Sequence, residues 1–371
     1  MPGRILIIIA VAIYLGALGV TLVPTASVAQ EPVDRTTSAA RSERVVEVKG
    51  LPFRGAAMQL QRVDWMDEYK QSMDELVEVG FDTVELVVDT RMENARSTGI
   101  WLDQRKTPTY EQLSDLIDHA KSRGLRVVLM PIVLLDNPNE ARNEWRGRIE
   151  PDPDYGGWSK WFDNYREMIK RFAQMAQGSG ADVLVIGSEL VSTQKHHDEW
   201  SRVIREVRLI YKGAITYSAN WDDYRNVPFW DELDLIGMNS YWKLDNGQKN
   251  KATVEDVMTS WKKYQTEVLT FVKQMNKPLL FTEVGWCSLS NAAHEPWDYT
   301  KVDATIDLEL QKRLYTGFFR SWHGNPNLGG FMVWDWPPGE GGPTNRSYIP
   351  KNKPAEAVLR EWLAKGRWEV K

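Results

Sequence analysis

The sequence predicts an α/β fold built as one (β/α)8 barrel, and three observations carry that prediction. Eight short runs of aliphatic and β-branched residues recur along the chain, as is typical of buried parallel strands. The segments between them repeat apolar residues at every third or fourth position, which indicates amphipathic helices. The chain has 371 residues, 42% of them hydrophobic, which suits one barrel with a single large core. A doubly wound open sheet is the alternative, but no glycine-rich phosphate turn follows the first strand.

The eight strands are predicted, in order, at Phe53–Met58, Thr83–Val88, Arg126–Leu135, Val183–Gly187, Ala214–Ser218, Leu233–Met238, Leu279–Thr282 and Gly330–Val333. The helices are predicted at Glu68–Val79, Thr109–Arg123, Lys160–Ala176, Asp198–Tyr211, Val254–Met275, Leu308–Trp322 and Pro354–Leu363. Gly80 is expected to end the first helix. Only Asp222–Glu232 is available between the fifth and sixth strands, so the helix there is expected to be short or missing.

Two long connections follow strands, Asp136–Gly157 after the third and Ser288–Asp307 after the seventh. Long loops within a compact domain are uncommon and often functional. Both are predicted to emerge where the carboxyl ends of the strands meet, which is the face where a barrel of this kind builds its site.

The N-terminus resembles an export signal. Arg4 is followed by an apolar run from Ile5 to Val23, and small residues then lead to a cleavage position before Gln30. The run is also long enough to span a membrane, so an uncleaved anchor is the alternative to cleaved export, which is favoured. We therefore expect a signal peptide or anchor at residues 1–29, a polar linker at 30–49 and the barrel at 50–371.

Composition excludes several classes of function. A formal net charge of −5 and no basic stripe argue against a nucleic-acid partner. No histidine or carboxylate spacing suggests a metal, so we expect neither a metal nor a cofactor. Cys287 is the only cysteine and has no disulfide partner in the chain. We also expect the protein to be a monomer. The 17 tryptophans are unusual, because flat indole faces suit the C–H faces of sugar rings.

Two glutamates stand where strand-like runs stop. Glu189 closes the run from Val183, and Glu283 closes the run from Pro278. Carboxylates at the carboxyl ends of barrel strands point into the mouth where ligands bind. A pair of them is what glycoside hydrolysis requires, whereas two ordinary salt-bridged or solvated acids are the alternative.

By strand count the two glutamates end the fourth and seventh strands, and here the sequence resembles the large clan of retaining glycosidases built on (β/α)8 barrels. More closely, it resembles glycoside hydrolase family 113, whose known activity is mainly endo-β-1,4-mannanase. The motifs that carry the resemblance are Ile186–Leu190 (IGSEL), Tyr217–Trp221 (YSANW), Asp234–Tyr241 (DLIGMNSY), Phe281–Trp286 (FTEVGW) and Gly330–Trp334 (GFMVW). Together they span nearly the whole chain after Gly50.

The resemblance implies that Glu283 is the nucleophile and Glu189 the acid/base of a two-step retaining mechanism, with the carboxyl groups about 5–5.5 Å apart. The acid role implies a pKa of Glu189 raised by burial or by the charge of Glu283. Tyr241 is expected to hydrogen-bond Glu283 and keep it ionised, or else to be a core tyrosine. Many clan members have Asn immediately before the acid/base, where this chain has Ser188, and that difference bears on the substrate.

Further residues are candidates for sugar binding. Trp334 matches the tryptophan that forms the base of the sugar site in the clan. The alternative is an aromatic residue that only fills the end of the barrel. The remaining candidates end strands or lie in the long loops, and they are Ser188, Asn220, Trp221, Trp286, Trp145 and Arg146. Trp145 and Arg146 are equally consistent with a packed, solvated lid.

These observations predict an exported retaining β-glycosidase that acts on a β-linked polysaccharide or oligosaccharide, with mannan first among the candidates. The main alternative is a glycan-binding barrel of the cell envelope that has lost efficient turnover. A third possibility is a barrel module of an envelope assembly, anchored by Ile5–Val23.

Overall fold

The computed structural model describes residues 46–339 and 341–370. Its eight parallel strands form one closed barrel in chain order, with the last strand paired to the first. The strands are β1 (Phe53–Leu60), β2 (Thr83–Met92), β3 (Arg126–Leu135), β4 (Val183–Ser188), β5 (Ala214–Ala219), β6 (Ile236–Asn239), β7 (Leu279–Val284) and β8 (Leu328–Val333). The predicted (β/α)8 barrel is therefore confirmed.

Seven α-helices cover the outside of the barrel in the described part of the chain. They are α1 (Met66–Val79), α2 (Tyr110–Ser122), α3 (Gly157–Ser179), α4 (His197–Ile210), α5 (Val254–Met275), α6 (Leu308–Trp322) and α7 (Pro354–Leu363). Between β5 and β6 the chain makes only two short 3-10 turns, Tyr224–Asn226 and Trp230–Glu232, as the sequence predicted. The largest differences from prediction are β2, which runs on to Met92, β6, which begins only at Ile236, and α3, which extends three residues beyond the prediction at each end.

Local sequence explains where the helices begin and end. The side chain of Thr109 caps α2 by accepting a hydrogen bond from the backbone N–H of Gln112. The side chain of Gln112 in turn accepts a hydrogen bond from the backbone N–H of Thr109. Thr253 caps α5 in the same way with Asp256. Gly80 ends α1 in a left-handed conformation with φ 105°, which a glycine adopts without steric cost.

Two apolar layers make up the core. The inner layer fills the barrel and the outer layer separates the strands from the helices. The outer layer holds most of the buried aromatic residues, including seven nearly inaccessible tryptophans: Trp161, Trp200, Trp230, Trp261, Trp286, Trp322 and Trp336. Much of the unusual tryptophan content is therefore packing, and only the remaining indoles are available to a ligand.

The two long loops lie at the carboxyl ends of the strands, as predicted. The loop after β3 contains three short 3-10 turns, at Glu140–Arg142, Arg146–Arg148 and Pro153–Tyr155. The loop after β7 is closed at its base by an antiparallel bridge between Leu289 and Ile306. Each loop thus has internal structure that holds its side chains in place.

The predicted leader at residues 1–29, with its apolar run, lies outside the described residues, as does most of the predicted linker. The last linker residues contact the barrel: the backbone N–H of Val46 donates to Asp234 at 2.6 Å, and Val48 packs against the inner layer. In the described part of the chain, no helix has the length and apolar character needed to cross a membrane.

Candidate active site

Glu189 lies directly after β4, at the mouth of the barrel. Its φ of 55° is in the left-handed region, which costs a non-glycine residue about 1–2 kcal/mol. The conformation is held by its own N–H, which donates to the carbonyl of Ser218 at 2.9 Å. Such strain is found where the surrounding structure holds a functional side chain in one direction.

Glu283 lies within β7 and is 4% exposed. The hydroxyl of Tyr241 donates to its Oε2 at 2.7 Å, and the hydroxyl of Ser240 donates to its backbone carbonyl at 2.9 Å. Burial raises the pKa of Tyr241 well above its usual value, so this hydroxyl stays protonated and remains a donor. The predicted hydrogen bond between Tyr241 and Glu283 is present.

Asn239 lies next to both glutamates, one through the sheet and one through its side chain. It is the register partner of Glu283 across the β6–β7 pair, and its Nδ2 donates to Glu189 Oε1 at 2.5 Å. The same amide nitrogen donates to Asn220 Oδ1 at 3.2 Å, and Asn239 Oδ1 accepts the backbone N–H of Trp221 at 2.8 Å. The sequence prediction missed this residue, although it lies inside the motif that ends at Tyr241.

Arg146 reaches the same carboxylate from the loop after β3. Its Nη2 lies 2.5 Å from Glu189 Oε2, and both side chains are less than one-fifth exposed. Burial alone lowers the pKa of Arg146, but the nearby Glu189 and Glu283 outweigh it and raise the pKa. Arg146 therefore stays charged and neutralises part of the negative charge of the pair. Arg146 thus lies at the site with a glutamate as its partner, and its predicted contact with a sugar stays a prediction.

The surroundings of Glu283 favour its protonated form. Burial, followed by the charge of Glu189, raises the pKa of Glu283 to about 8, although Arg146 and the Tyr241 hydroxyl act in the opposite direction. Arg146 contacts Glu189 directly, and its charge also acts on Glu283. The acid role predicted for Glu189 stays a prediction.

Aromatic residues flank the pair. Trp334, directly after β8, is half-buried and packs against both the inner layer and a small cluster formed by Tyr241, Cys287, Leu289 and Tyr348. Trp221, two residues after β5, is half-buried and packs against the same cluster. Both predicted tryptophans therefore pack against the cluster that contains the tyrosine bound to Glu283, and their contact with a sugar stays a prediction.

The prediction that Trp286 lines the cleft is wrong. Its side chain is 0% exposed and packs edge-on against Tyr315 of α6 at 5.1 Å, with Phe318 nearby. The pairing of β7 with β8 shifts register between Phe281 and Val284, which breaks the regular alternation of side chains along the strand. Beyond this irregularity Trp286 points outward to the helices.

Two weaker candidates have different surroundings. The ring of Trp145 is half-buried and covers the backbone of Gly147, so it packs the turn that carries Arg146. Ser188 is 1% exposed, and its hydroxyl has no hydrogen-bond partner among the described residues. A buried hydroxyl of this kind is usually satisfied by water or a ligand. Contact of either residue with a sugar remains a prediction.

No group of three or more histidine, cysteine or acidic side chains in the described residues has the arrangement of a metal site. The arrangement that is present consists of two glutamates, an amide and a hydroxyl that bind them, a buried arginine and flanking indoles. It can supply acid–base and nucleophilic chemistry from side chains.

A closed barrel with a glutamate at the carboxyl end of its fourth strand and another in its seventh is the architecture of barrel-type glycoside hydrolases. The chain belongs to Glycoside Hydrolase Family 113, since the model of that family matches residues 57–351. It is therefore a glycoside hydrolase.

Solved structures agree with this assignment. The GH113 β-mannanase AaManA from Alicyclobacillus acidocaldarius is 27% identical, with a TM-score of 0.76 over 86% of this chain and 99% of that one. A GH113 β-1,4-mannanase complex is also 27% identical, with a TM-score of 0.75 over 85% of this chain and 100% of that one. An endo-1,4-β-D-mannanase from Thermotoga petrophila, 11% identical with a TM-score of 0.55 over 85% of this chain and 100% of that one, shares the fold. No curated protein shows significant similarity.

Proposed function

We propose that this protein is a retaining β-mannanase that cleaves β-1,4-linked mannan chains by double displacement. Family membership and the two 27% identical mannanases support the substrate class. The observation that carries the mechanism is the position of Asn239. Asn239 is the register partner of Glu283 across the β6–β7 pair, and its side chain donates to Glu189 after β4, so both glutamates lie beside this one residue at the mouth of the barrel.

The first step forms a glycosyl-enzyme. A Glu283 oxygen attacks the anomeric carbon, the bond to the leaving oxygen breaks, and Glu189 transfers its proton to that oxygen. In the second step Glu189 takes a proton from water, whose oxygen attacks the same carbon and releases Glu283. The Tyr241 hydroxyl, 2.7 Å from Glu283, stabilises that carboxylate each time it carries charge.

The first step needs Glu283 in its ionised form, whereas burial and the charge of Glu189 raise the pKa of Glu283 to about 8 in the free site. Substrate binding must therefore favour the ionised form of Glu283. The charge of Arg146 and the Tyr241 hydroxyl already act in that direction.

The test is turnover of β-1,4-mannohexaose by the purified chain, with the anomeric configuration of fresh products followed by NMR. We expect cleavage with retained β-configuration. Glu283→Gln should abolish turnover and leave oligosaccharide binding intact. Glu189→Ala should lose about 10²–10⁴-fold on mannohexaose but far less on an activated aryl β-mannoside, whose leaving group needs little protonation.

Glu140→Gln is the matched control, because Glu140 is an exposed glutamate of the loop after β3. Its turnover should equal that of the wild type. Products of inverted configuration, or a Glu283→Gln variant with full turnover, would contradict the proposed mechanism.

We also propose export of this enzyme, supported by the apolar run and small-residue cleavage position before Gln30. Mass measurement of the chain recovered from a bacterial host is the test. A mature chain that begins at Gln30 supports cleaved export, whereas a chain that retains Ile5–Val23 in the membrane fraction indicates the anchor instead.

A further inference from the structure

Trp297 is exposed at the rim of the site and stacks on Trp221. It lies in the loop after β7 and is 44% exposed, an unusual state for a large apolar side chain. Its ring is nearly parallel to that of Trp221, with an interplanar angle of 16° and 5.7 Å between ring centroids. Trp221 covers one face of the Trp297 indole, so the solvent-exposed surface of Trp297 is its other face and its edges.

The stacked pair is held rigidly from both sides. Trp221 contacts the buried Trp242 edge-on at 6.0 Å, and Trp242 in turn stacks on Tyr264 of α5. The loop residue before Trp297 is fixed as well, because the buried Tyr348 donates its hydroxyl to the Pro296 carbonyl at 2.7 Å. A rigid, exposed ring loses little freedom when a ligand covers it.

The pair lies on the side of the acid/base glutamate. The backbone N–H of Trp221 donates to Asn239, and Asn239 donates to Glu189. In the proposed mechanism Glu189 protonates the leaving oxygen, so the leaving part of the chain must extend past Glu189. The Trp221–Trp297 pair, which is connected to that glutamate through Asn239, is therefore placed to meet the sugars that depart.

We propose that the Trp221–Trp297 pair is the platform on which a pyranose ring of the leaving-group chain stacks. The inference rests on the proposed function and deepens it, since it assigns a sugar-binding role to a loop residue outside the catalytic pair. A flat indole presents a negative π-face to the C–H groups of a sugar ring. Such a platform makes the enzyme favour substrates that extend well beyond the cleaved bond.

The first experiment measures binding without turnover. In a Glu283→Gln background, mannohexaose is titrated by calorimetry into the chain with Trp297 intact and into chains carrying Trp297→Ala or Trp297→Phe. We expect Trp297→Ala to weaken the Kd about tenfold and Trp297→Phe, which keeps a flat ring, to change it by less than about threefold. An unchanged Kd in Trp297→Ala would overturn the platform.

Trp101→Ala is the matched control. Trp101 is 39% exposed, close to Trp297 in exposure, but it lines a surface cleft beside Asn164 and Phe172 of α3. We expect its Kd to equal that of the parent. An equal loss in Trp101→Ala and Trp297→Ala would show a non-specific effect of removing an exposed indole and would also overturn the platform.

The second experiment assigns the side of the cleaved bond. Trp297→Ala in the active chain should reduce kcat/KM about tenfold on mannohexaose and clearly less on an aryl β-mannobioside, whose leaving group carries no sugar. Equal losses on both substrates would overturn the leaving-group placement. If the proposed function is wrong, the chain with Trp297 intact should neither bind nor cleave mannohexaose. That result would overturn both proposals.

Discussion

Arg146 is the residue whose charge acts most directly on the protonation of the site. Its guanidinium contacts Glu189 and also lowers the pKa of Glu283, which burial and Glu189 hold at about 8. Below that pH Glu283 retains a proton, and the proposed mechanism needs one proton in the pair of glutamates. As pH rises through about 8 that proton is lost, so kcat/KM should fall.

Replacement of Arg146 tests this account. Arg146→Met removes a positive charge that lowers the pKa, so the alkaline fall in kcat/KM should move to higher pH by about one unit or more. The measurement is kcat/KM for mannohexaose from pH 5 to pH 10. Arg148→Met, on the exposed end of the same turn, should leave the profile in place. An unshifted alkaline limb in Arg146→Met would rule out the charge effect.

At the scale of single residues, sequence reasoning found the two glutamates and Tyr241 because each ends or follows a recognisable strand. It placed Trp286 wrongly and overlooked Asn239 and Trp297. The contact of Asn239 with Glu189 joins positions 50 residues apart, and that of Arg146 joins positions 43 residues apart. Contacts of this kind have no local periodicity that would reveal them.

At the scale of elements, the ends of β7 and β8 approach more closely than side chains allow. Gly285 follows β7, and a Cβ at this position would lie 2.2 Å from the carbonyl oxygen of Trp334. Because this oxygen is part of the backbone, a side chain at position 285 would fit only if the end of β7 or β8 moved. A glycine here therefore keeps Glu283 and Trp334 at their present spacing.

Gly285→Ala should separate these strand ends and damage the site. We expect a loss of up to about 100-fold in kcat/KM, since misplacement by about 1 Å has effects of this size, and a destabilisation of about 1–3 kcal/mol. Turnover of mannohexaose and urea unfolding measure the two effects. Gly178→Ala, in α3 with no atom within 4 Å of an added Cβ, should keep full activity and gain up to about 1 kcal/mol. Full activity in Gly285→Ala would show that the spacing is not required.

Across the whole molecule, the two ends of the barrel have different tasks. The carboxyl ends carry the site, while the amino ends carry a charge cluster around Asp82, just before β2. Asp82 accepts from Arg54 at 2.8 Å, contacts Arg126, and lies 3.3 Å from Arg367. Burial would raise the pKa of Asp82, but the arginines, Arg126 foremost, outweigh it and lower the pKa.

Asp82→Asn should therefore lower the stability of the fold and leave the catalytic rate unchanged. Loss of the carboxylate leaves partly buried arginines unpaired, and we expect the free energy of unfolding at pH 7 to fall by about 2–3 kcal/mol. Because the pKa is lowered on folding, this contribution is complete above the unfolded value of 3.8 and is lost as pH falls through the folded value. Urea unfolding at pH 7 and at low pH should show the difference shrink in acid.

The kcat of Asp82→Asn on mannohexaose should match that of the wild type, because the cluster lies at the opposite end of the barrel from Glu283. Asp64→Asn is the control, since Asp64 forms an exposed ion pair with Arg62 and should show no measurable change in stability. An Asp82→Asn chain as stable as the wild type would show that the cluster does not hold the amino ends together.

The sequence by itself determined the barrel, the order of its elements and the two strand-end glutamates. Hydrophobic periodicity and end signals are local, and parallel strands in chain order then bring the carboxyl ends of β4 and β7 to one mouth. Tertiary structure alone decided which side chains surround that mouth. It turned Trp286 into the outer layer, brought Arg146 from a loop onto Glu189, and stacked Trp297 on Trp221. These outcomes depend on a register shift in β7 and on loop paths, and both are set by packing between segments far apart in the chain.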